Sequence, residues 1–183
     1  MKYESAPDLK EKIKDLVEVL EMKHIELDKV ECFRSYGTNS RRVIARCHGL
    51  PKVMQLGMKT SPFYVIEVIN ERFGKMNEEE QTKVLLHELL HIPKTFGGGF
   101  RQHDFVNRQT VERLYREYKR RKEIKSKKAQ EVVNFSNVDS RFNSELNNHM
   151  GNESQEKRIG LVEKIIQNFN ANKKEDENKE KSD

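Results

Sequence analysis

The sequence predicts an α+β domain followed by a charged tail, and three observations predict it. "FYVIEVIN" (63–70) is an aromatic and β-branched run, entered after Pro62 and left before Gly74, as a strand would be. "DLKEKIKDLVEVLEM" (8–22) and the stretch from 78 to about 91 carry apolar residues at helical spacing. After about residue 126 that periodicity fades into polar, Asn-rich sequence that cannot bury a core.

Composition supports the same division. Of 183 residues, 34% are hydrophobic, 36% are charged and none is Trp. That is thin for a core spread over the whole length, so we expect a folded domain over 1–125 and a mostly disordered tail over 126–183. Residues 1–128 hold 27 Lys and Arg against 19 Asp and Glu, whereas 129–183 hold 8 against 11. A basic domain with a mildly acidic end makes nucleic acid a partner to consider. Cys32 and Cys47 are too few for a disulfide scaffold and too far apart for a Cys-x-x-Cys clamp, so both read as small core residues. The start, "MKYESAPDLK", lacks an apolar signal region, and nowhere do about 18 apolar residues run together. The expectation is a cytoplasmic protein with no membrane association.

The first helix begins after Pro7-Asp8 and buries Leu9, Ile13, Leu16, Val17 and Leu20. "DKVECFRSY" alternates Val30 and Cys32 or Phe33 with charges, a strand ending near Gly37. In "RRVIARCHGLPKVMQLGM", Gly49 and Pro51 separate a helical or extended piece from a short strand at 52–56. Asn77 with Glu80 three residues on forms a capping box that opens a helix from 78 to 91 or 92. Pro93 ends it, lacking the N–H to continue. Gly97-Gly98-Gly99 then supplies a turn. A second helix is expected from near His103 past Tyr118, with Val111, Leu114 and Tyr118 as its buried stripe. In the tail, "RIGLVEKIIQNF" sets Ile159, Val162, Ile165, Ile166 and Phe169 at helical spacing. This short amphipathic helix near 158–170 either docks on the domain or binds a protein partner.

The chemistry concentrates in "VLLHELLHIPKTFGGGFRQHD" (84–104). His87 and His91, at i and i+4, lie one turn apart on one helical face and can converge on one ion. Glu88, about 100° round the helix, can lean over the open position of that ion. Catalytic zinc takes three protein ligands and a water, whose pKa the metal lowers and whose proton a carboxylate can accept. The proline and glycines reverse the chain and return His103 as a third ligand. Glu112, twenty-one residues beyond His91, and Asp104 are the alternatives, Asp104 also as a carboxylate orienting His103 or as a helix cap. With this composition, chance yields H-E-x-x-H about 2% of the time. Two unliganded imidazoles and a carboxylate in a helix flanked by five leucines and valines would be desolvated without compensation. The reading is therefore one zinc ion per chain on His87, His91 and His103, with Glu88 as the catalytic base. His24, His48 and His149 have no ligand-like spacing and read as ordinary histidines.

"HELLH" with a downstream histidine resembles the zincin metallopeptidases. "RRVIARCHGLP", "FYVIEVIN" and "HELLHIPKTFGGGFRQHD" together are similar to a family of predicted metallopeptidases best known from archaea. There is also a looser similarity to SprT-like proteases, which cut proteins on DNA. The resemblance covers about residues 28–120. It implies a minimal zincin-like fold, a small mixed β-sheet backed by the two motif-bearing helices, and by it His87, His91 and His103 are ligands and Glu88 the general base. It also implies an edge strand over the cleft that pairs with extended substrate, for which "FYVIEVIN" is the candidate. The twelve-residue step from His91 to His103 departs from metzincins, and no later Met-turn signature is present.

The leading function is a zinc-dependent endopeptidase acting on protein or peptide substrates. The alternatives are a metal-dependent nuclease and a non-catalytic, zinc-containing nucleic-acid-binding module. Glu88 favours the peptidase, because general-base attack on a carbonyl needs a carboxylate there and phosphodiester cleavage does not specially require it. Arg113, Arg116, Lys119, Arg120, Arg121 and Lys122 head a basic run to Lys128, opposed only by Glu117 and Glu123. It is either a solvated helix face or a ridge for weak, sequence-independent nucleic-acid binding. Phe96, Phe100 and Arg101 either line the cleft or pack under the loop.

Overall fold

The computed structural model describes residues 1–38 and 42–138 together with Gly160. The expected disorder of 139–183 and the amphipathic segment near 158–170 otherwise lie outside the described residues. The chain divides into two units, one over Met1–Lys122 and the other beginning at Glu123.

The elements, in chain order, are β1 (Lys2–Ser5), α1 (Pro7–Val19), β2 (Val30–Tyr36), β3 (Ala45–Gly49), α2 (Lys52–Met58), β4 (Tyr64–Ile69), α3 (Asn70–Phe73), α4 (Glu78–Leu90) and α5 (Arg108–Val138). The four strands form one mixed sheet in the order β1-β2-β4-β3. β1 runs antiparallel to β2, β2 parallel to β4, and β3 antiparallel to β4. Helices meet this sheet in a single core. Leu9, Ile13, Leu16 and Val17 of α1 and Leu85, Leu86 and Leu89 of α4 pack in one cluster with Val30, Cys32, Tyr64, Ile66 and Val68. The α+β expectation and the mixed sheet are both met.

The helix signals that rest on neighbouring residues hold. Asn77 Oδ1 accepts from the Glu80 N–H at 2.9 Å and Glu80 Oε2 from the Asn77 N–H at 3.1 Å, completing the capping box of α4. Pro7 occupies the first turn of α1, where a missing N–H costs nothing. No helix among the described residues is long and apolar enough to cross a membrane.

Four expectations are corrected. "FYVIEVIN" is not the edge strand: β4 pairs with β2 on one side and β3 on the other. Its near-continuous apolar run matches its burial, five of its six residues being buried. The edges of the sheet are β1 and β3, and β3 is the one that packs beside α4. Residues 52–56 are helical, not extended, because α2 turns its one buried residue, Gln55, inward and leaves Val53, Met54, Leu56 and Met58 exposed. The second motif-bearing helix starts at Arg108 rather than near His103, since Asn107 caps it by accepting from the Thr110 N–H at 3.0 Å. It also runs on to Val138, past residue 126 where the apolar periodicity fades; the Lys-, Glu- and Gln-rich sequence there retains high helix propensity. β1, exposed at all four residues and with no alternating pattern, is an element the sequence did not announce.

α5 packs back toward α1 through a polar latch. The Tyr118 hydroxyl donates to the Asp15 carboxylate, which Lys122 also reaches at 3.0 Å.

Candidate metal centre

α4 ends where Pro93 requires it to, and the chain turns back at once. The Arg101 N–H donates to the His91 carbonyl at 2.8 Å, closing the loop that the proline and glycines form. The His91 ring makes the reciprocal contact, Nδ1 to the Arg101 carbonyl at 2.9 Å. A carbonyl only accepts, so Nδ1 carries the proton and Nε2 keeps its lone pair for the cleft.

The glycines do more than turn the chain. Gly98 adopts φ +87°, and a Cβ there would lie 2.0 Å from the Leu50 carbonyl oxygen and 2.4 Å from Gln55 Nε2. Gly98 N–H donates to the Tyr64 hydroxyl at 2.8 Å, and that hydroxyl donates to the Gly99 carbonyl at 2.9 Å. Gln55 Nε2 donates to Leu50 O at 2.7 Å and Gly97 O at 2.9 Å. The loop is thus strapped to β4 and α2 at a distance only glycine permits. Gly98→Ala is expected to cost at least about 2 kcal/mol, combining left-handed strain with displacement of the backbone. Gly99→Ala, where an added Cβ meets nothing within 4 Å, is expected to stay within about 0.5 kcal/mol of the parent. Equal melting temperatures for the two variants would remove the close-packing account.

This return brings His103 over the α4 face. The ligand nitrogens of His87, His91 and His103 all lie within 4.8 Å of one another. His87 Nε2 and His91 Nε2 are 3.3 Å apart. Two nitrogens each about 2.0–2.1 Å from a tetrahedral ion would be separated by about 3.3–3.4 Å, so this pair fits a zinc-sized edge. Burial lowers the His87 pKa, and the neighbouring His91 and His103 lower it further. Both effects favour the neutral imidazole that ligates metal. His103 itself is exposed.

Glu88 is 7% exposed, facing β3. Burial pushes its carboxyl up to about 7, against the opposing pull of the Cys47 N–H. That N–H is free to meet it because of strand register. Ile69 N–H donates to Ile44 O and Leu50 N–H to Phe63 O, so the alternate residues Ala45, Cys47 and Gly49 turn their backbone groups to the open edge. The cleft so formed has a volume of about 440 Å³, with Ala45 to His48 on one wall and Phe100 to Gln102 on the other.

His48 and Cys47, read from sequence as ordinary residues, therefore line the cleft. His48 Nε2 lies 2.8 Å from Glu67 Oε2, and Arg46 Nη1 lies 3.3 Å from Glu67 Oε1. Burial pushes the Glu67 carboxyl up, but the nearby Ser35 hydroxyl, His48 and the Arg46 charge together hold it below the usual range. Ser35 Oγ makes no well-formed hydrogen bond among the described residues, so His48 and Arg46 are the partners that matter. No motif in "ARCH" marks these residues; only the strand's place at the sheet edge does. Phe96 is buried against Tyr64, with ring centroids 4.9 Å apart, whereas Phe100 and Arg101 line the cleft.

The alternative ligands stand elsewhere. Glu112 is ion-paired with Lys83 at 2.7 Å and is not one of the converging groups. Asp104 is exposed, and the helix cap expected of it is Asn107 instead. The basic run is partly neutralised: Arg116 approaches Glu112, Arg120 and Arg121 pair with Glu117, and Lys122 pairs with Asp15. Lys119 lies 5.8 Å from the Tyr115 ring centroid, and Arg113 is exposed.

Comparison with known proteins agrees with the motif. The protein-family model described as "Putative phage metallopeptidase" matches residues 1–134. No curated protein and no solved structure matches the chain. The family match runs from β1 into the second half of α5 and takes in every residue of the cleft, so the chain belongs to the putative phage metallopeptidase family.

Proposed function

We propose that the protein is a zinc-dependent endopeptidase, with His87, His91 and His103 holding one zinc ion per chain and Glu88 as general base. The observation that carries this reading is the convergence of three imidazoles beside a buried carboxylate and an open strand edge. Zinc, when bound, supplies a Lewis acid that lowers the pKa of water and polarises a carbonyl. Glu88 takes the proton of the attacking water and returns it to the departing amine nitrogen. A cation nearby would also draw the Glu88 carboxyl back toward the ionised form that a base requires. Ala45 and Gly49 offer outward N–H and C=O groups, and Cys47 its C=O, to which an extended substrate can add as a further strand, the Cys47 N–H being held by Glu88. Two free thiols, Cys32 and Cys47, are in keeping with a reducing cytoplasmic setting.

The purified protein is expected to contain about one zinc per chain, as a three-histidine site would. It should cleave a denatured protein substrate, lose that activity to a chelator and regain it with zinc. Cleavage of RNA or DNA with peptides ignored would replace this reading with a nuclease. Weak nucleic-acid affinity is proposed beside it, supported by the exposure of Arg113, Arg116 and Arg120 on α5. Fluorescence anisotropy should then show binding that falls steeply as salt rises. Absence of binding at low salt would leave the run a solvated helix face.

A further inference from the structure

Arg101 lines the cleft beside His91 and His103, and its charge has no part in the chemistry above. Its backbone is fixed at both ends, since its N–H and C=O are the groups that meet His91. Its guanidinium carbon lies 3.3 Å from the centroid of the Phe105 ring, which itself packs on the core. Stacking holds the guanidinium plane and leaves the N–H groups along its edge available. Among the described residues no carboxylate pairs with it. Arg46, on the opposite wall, is engaged by Glu67. Among the described residues Glu88 is the one carboxylate lining the cleft, and it is set against the Cys47 N–H instead.

A half-buried, oriented and unneutralised guanidinium inside a substrate cleft has a natural complement. We propose that Arg101 is the receptor for a substrate carboxylate, so that the cleft selects peptides with an acidic group close to the scissile bond. The inference rests on the peptidase reading. Planar guanidinium and planar carboxylate meet through two parallel N–H to O bonds, a geometry that lysine cannot reproduce. The carboxylate can come from an Asp or Glu side chain or from a chain terminus, and the chemistry of recognition is the same.

The test separates those sources and does not depend on turnover. The probes are three fluorescent hexapeptides of matched sequence. One is neutral and C-terminally amidated, one amidated with an internal Glu in place of Gln, and one neutral with a free C-terminus. Each is titrated into the zinc-loaded full chain carrying Glu88→Gln, and binding is read by anisotropy. One or both carboxylate peptides should bind about 10- to 100-fold more tightly than the neutral peptide, the range of a charge-assisted hydrogen-bonded pair. Adding Arg101→Gln should abolish the preference, and adding Arg101→Lys should restore only part of it. Zinc content and melting temperature of the Arg101 variants serve as the folding control, because the contacts with His91 are main-chain and survive the substitution. Equal binding of all three peptides, or a preference that persists in Arg101→Gln, overturns the proposal. So does an equal fall in kcat for neutral and acidic peptides in a separate Arg101→Gln variant that keeps Glu88, which would put Arg101 on the developing charge of the reaction. If the preference is found while the zinc-loaded parent cleaves neither these peptides nor a denatured protein, the carboxylate receptor stands and the peptidase reading fails.

Discussion

Glu88→Gln is expected to keep its zinc and its fold while losing peptide hydrolysis by at least about 100-fold, the usual scale for a general base. The substitution is nearly isosteric, so the 7% exposed side chain keeps its place beside β3. What it loses is the ability to accept a proton. The stability of the metal-free protein gives an independent check, and its sign follows from the pKa. Burial raises the folded-state value to about 7, above the ordinary 4.5. A carboxyl raised in this way favours folding least where it must ionise, so it becomes destabilising as pH rises from the unfolded value through the folded one. Glutamine removes that liability. At neutral pH the metal-free Glu88→Gln protein should melt no lower than the metal-free parent, and below pH 4.5 the difference should vanish. Unchanged turnover on a peptide substrate would take Glu88 out of the mechanism.

What the sequence discloses here is local, and what it hides is not. His87, Glu88 and His91 are legible because an i, i+4 pair and its intervening residue need only a helix, and Asn77 with Glu80 announces that helix. Pro93 marks its end for an equally local reason. The register of the sheet is a different matter. Whether "FYVIEVIN" or "ARCHG" forms the edge depends on which strands pair across tens of residues, and a strand buried between two others looks like the more prominent candidate because it is the more apolar. α2 misleads for the opposite reason. Its apolar residues point outward, and its one inward side chain is a glutamine tied to two backbone carbonyls, so hydrophobic pattern and burial disagree. The start of α5 also turned on a single choice between cap residues. Asp104 and Asn107 are both acceptable caps by type, and only the second has its side chain against the first-turn N–H of Thr110. Consequently the convergence of His87, His91 and His103 beside Glu88 was readable, whereas the wall that faces it, β3 with Cys47 and His48, was not.

His91→Ala and His103→Ala are both expected to lose bound zinc, but by routes that calorimetry can tell apart. His103 is exposed, and its ring contacts are with the other two histidines, at centroid distances of 5.6 and 4.8 Å. Removing it deletes a ligand and little else, so the metal-free variant should melt with the metal-free parent. His91 does two things. Its Nε2 faces the other imidazoles, and its Nδ1–H holds the Arg101 carbonyl at the mouth of the glycine loop. His91→Ala therefore leaves that carbonyl short of a donor as well as the site short of a ligand. A hydrogen bond of this kind contributes about 1 kcal/mol, so metal-free His91→Ala should melt a few degrees below the metal-free parent. In the zinc-loaded state the parent gains whatever mass action supplies, and neither variant should share it. His24→Ala and His48→Ala should bind zinc as the parent does. Full zinc occupancy in His103→Ala would pass the third-ligand role to another group. Equal metal-free melting of the two variants would mean instead that the loop is held by its main-chain bond at residue 91 and by the Gly98 and Gln55 contacts, with the His91 ring free to serve only the metal.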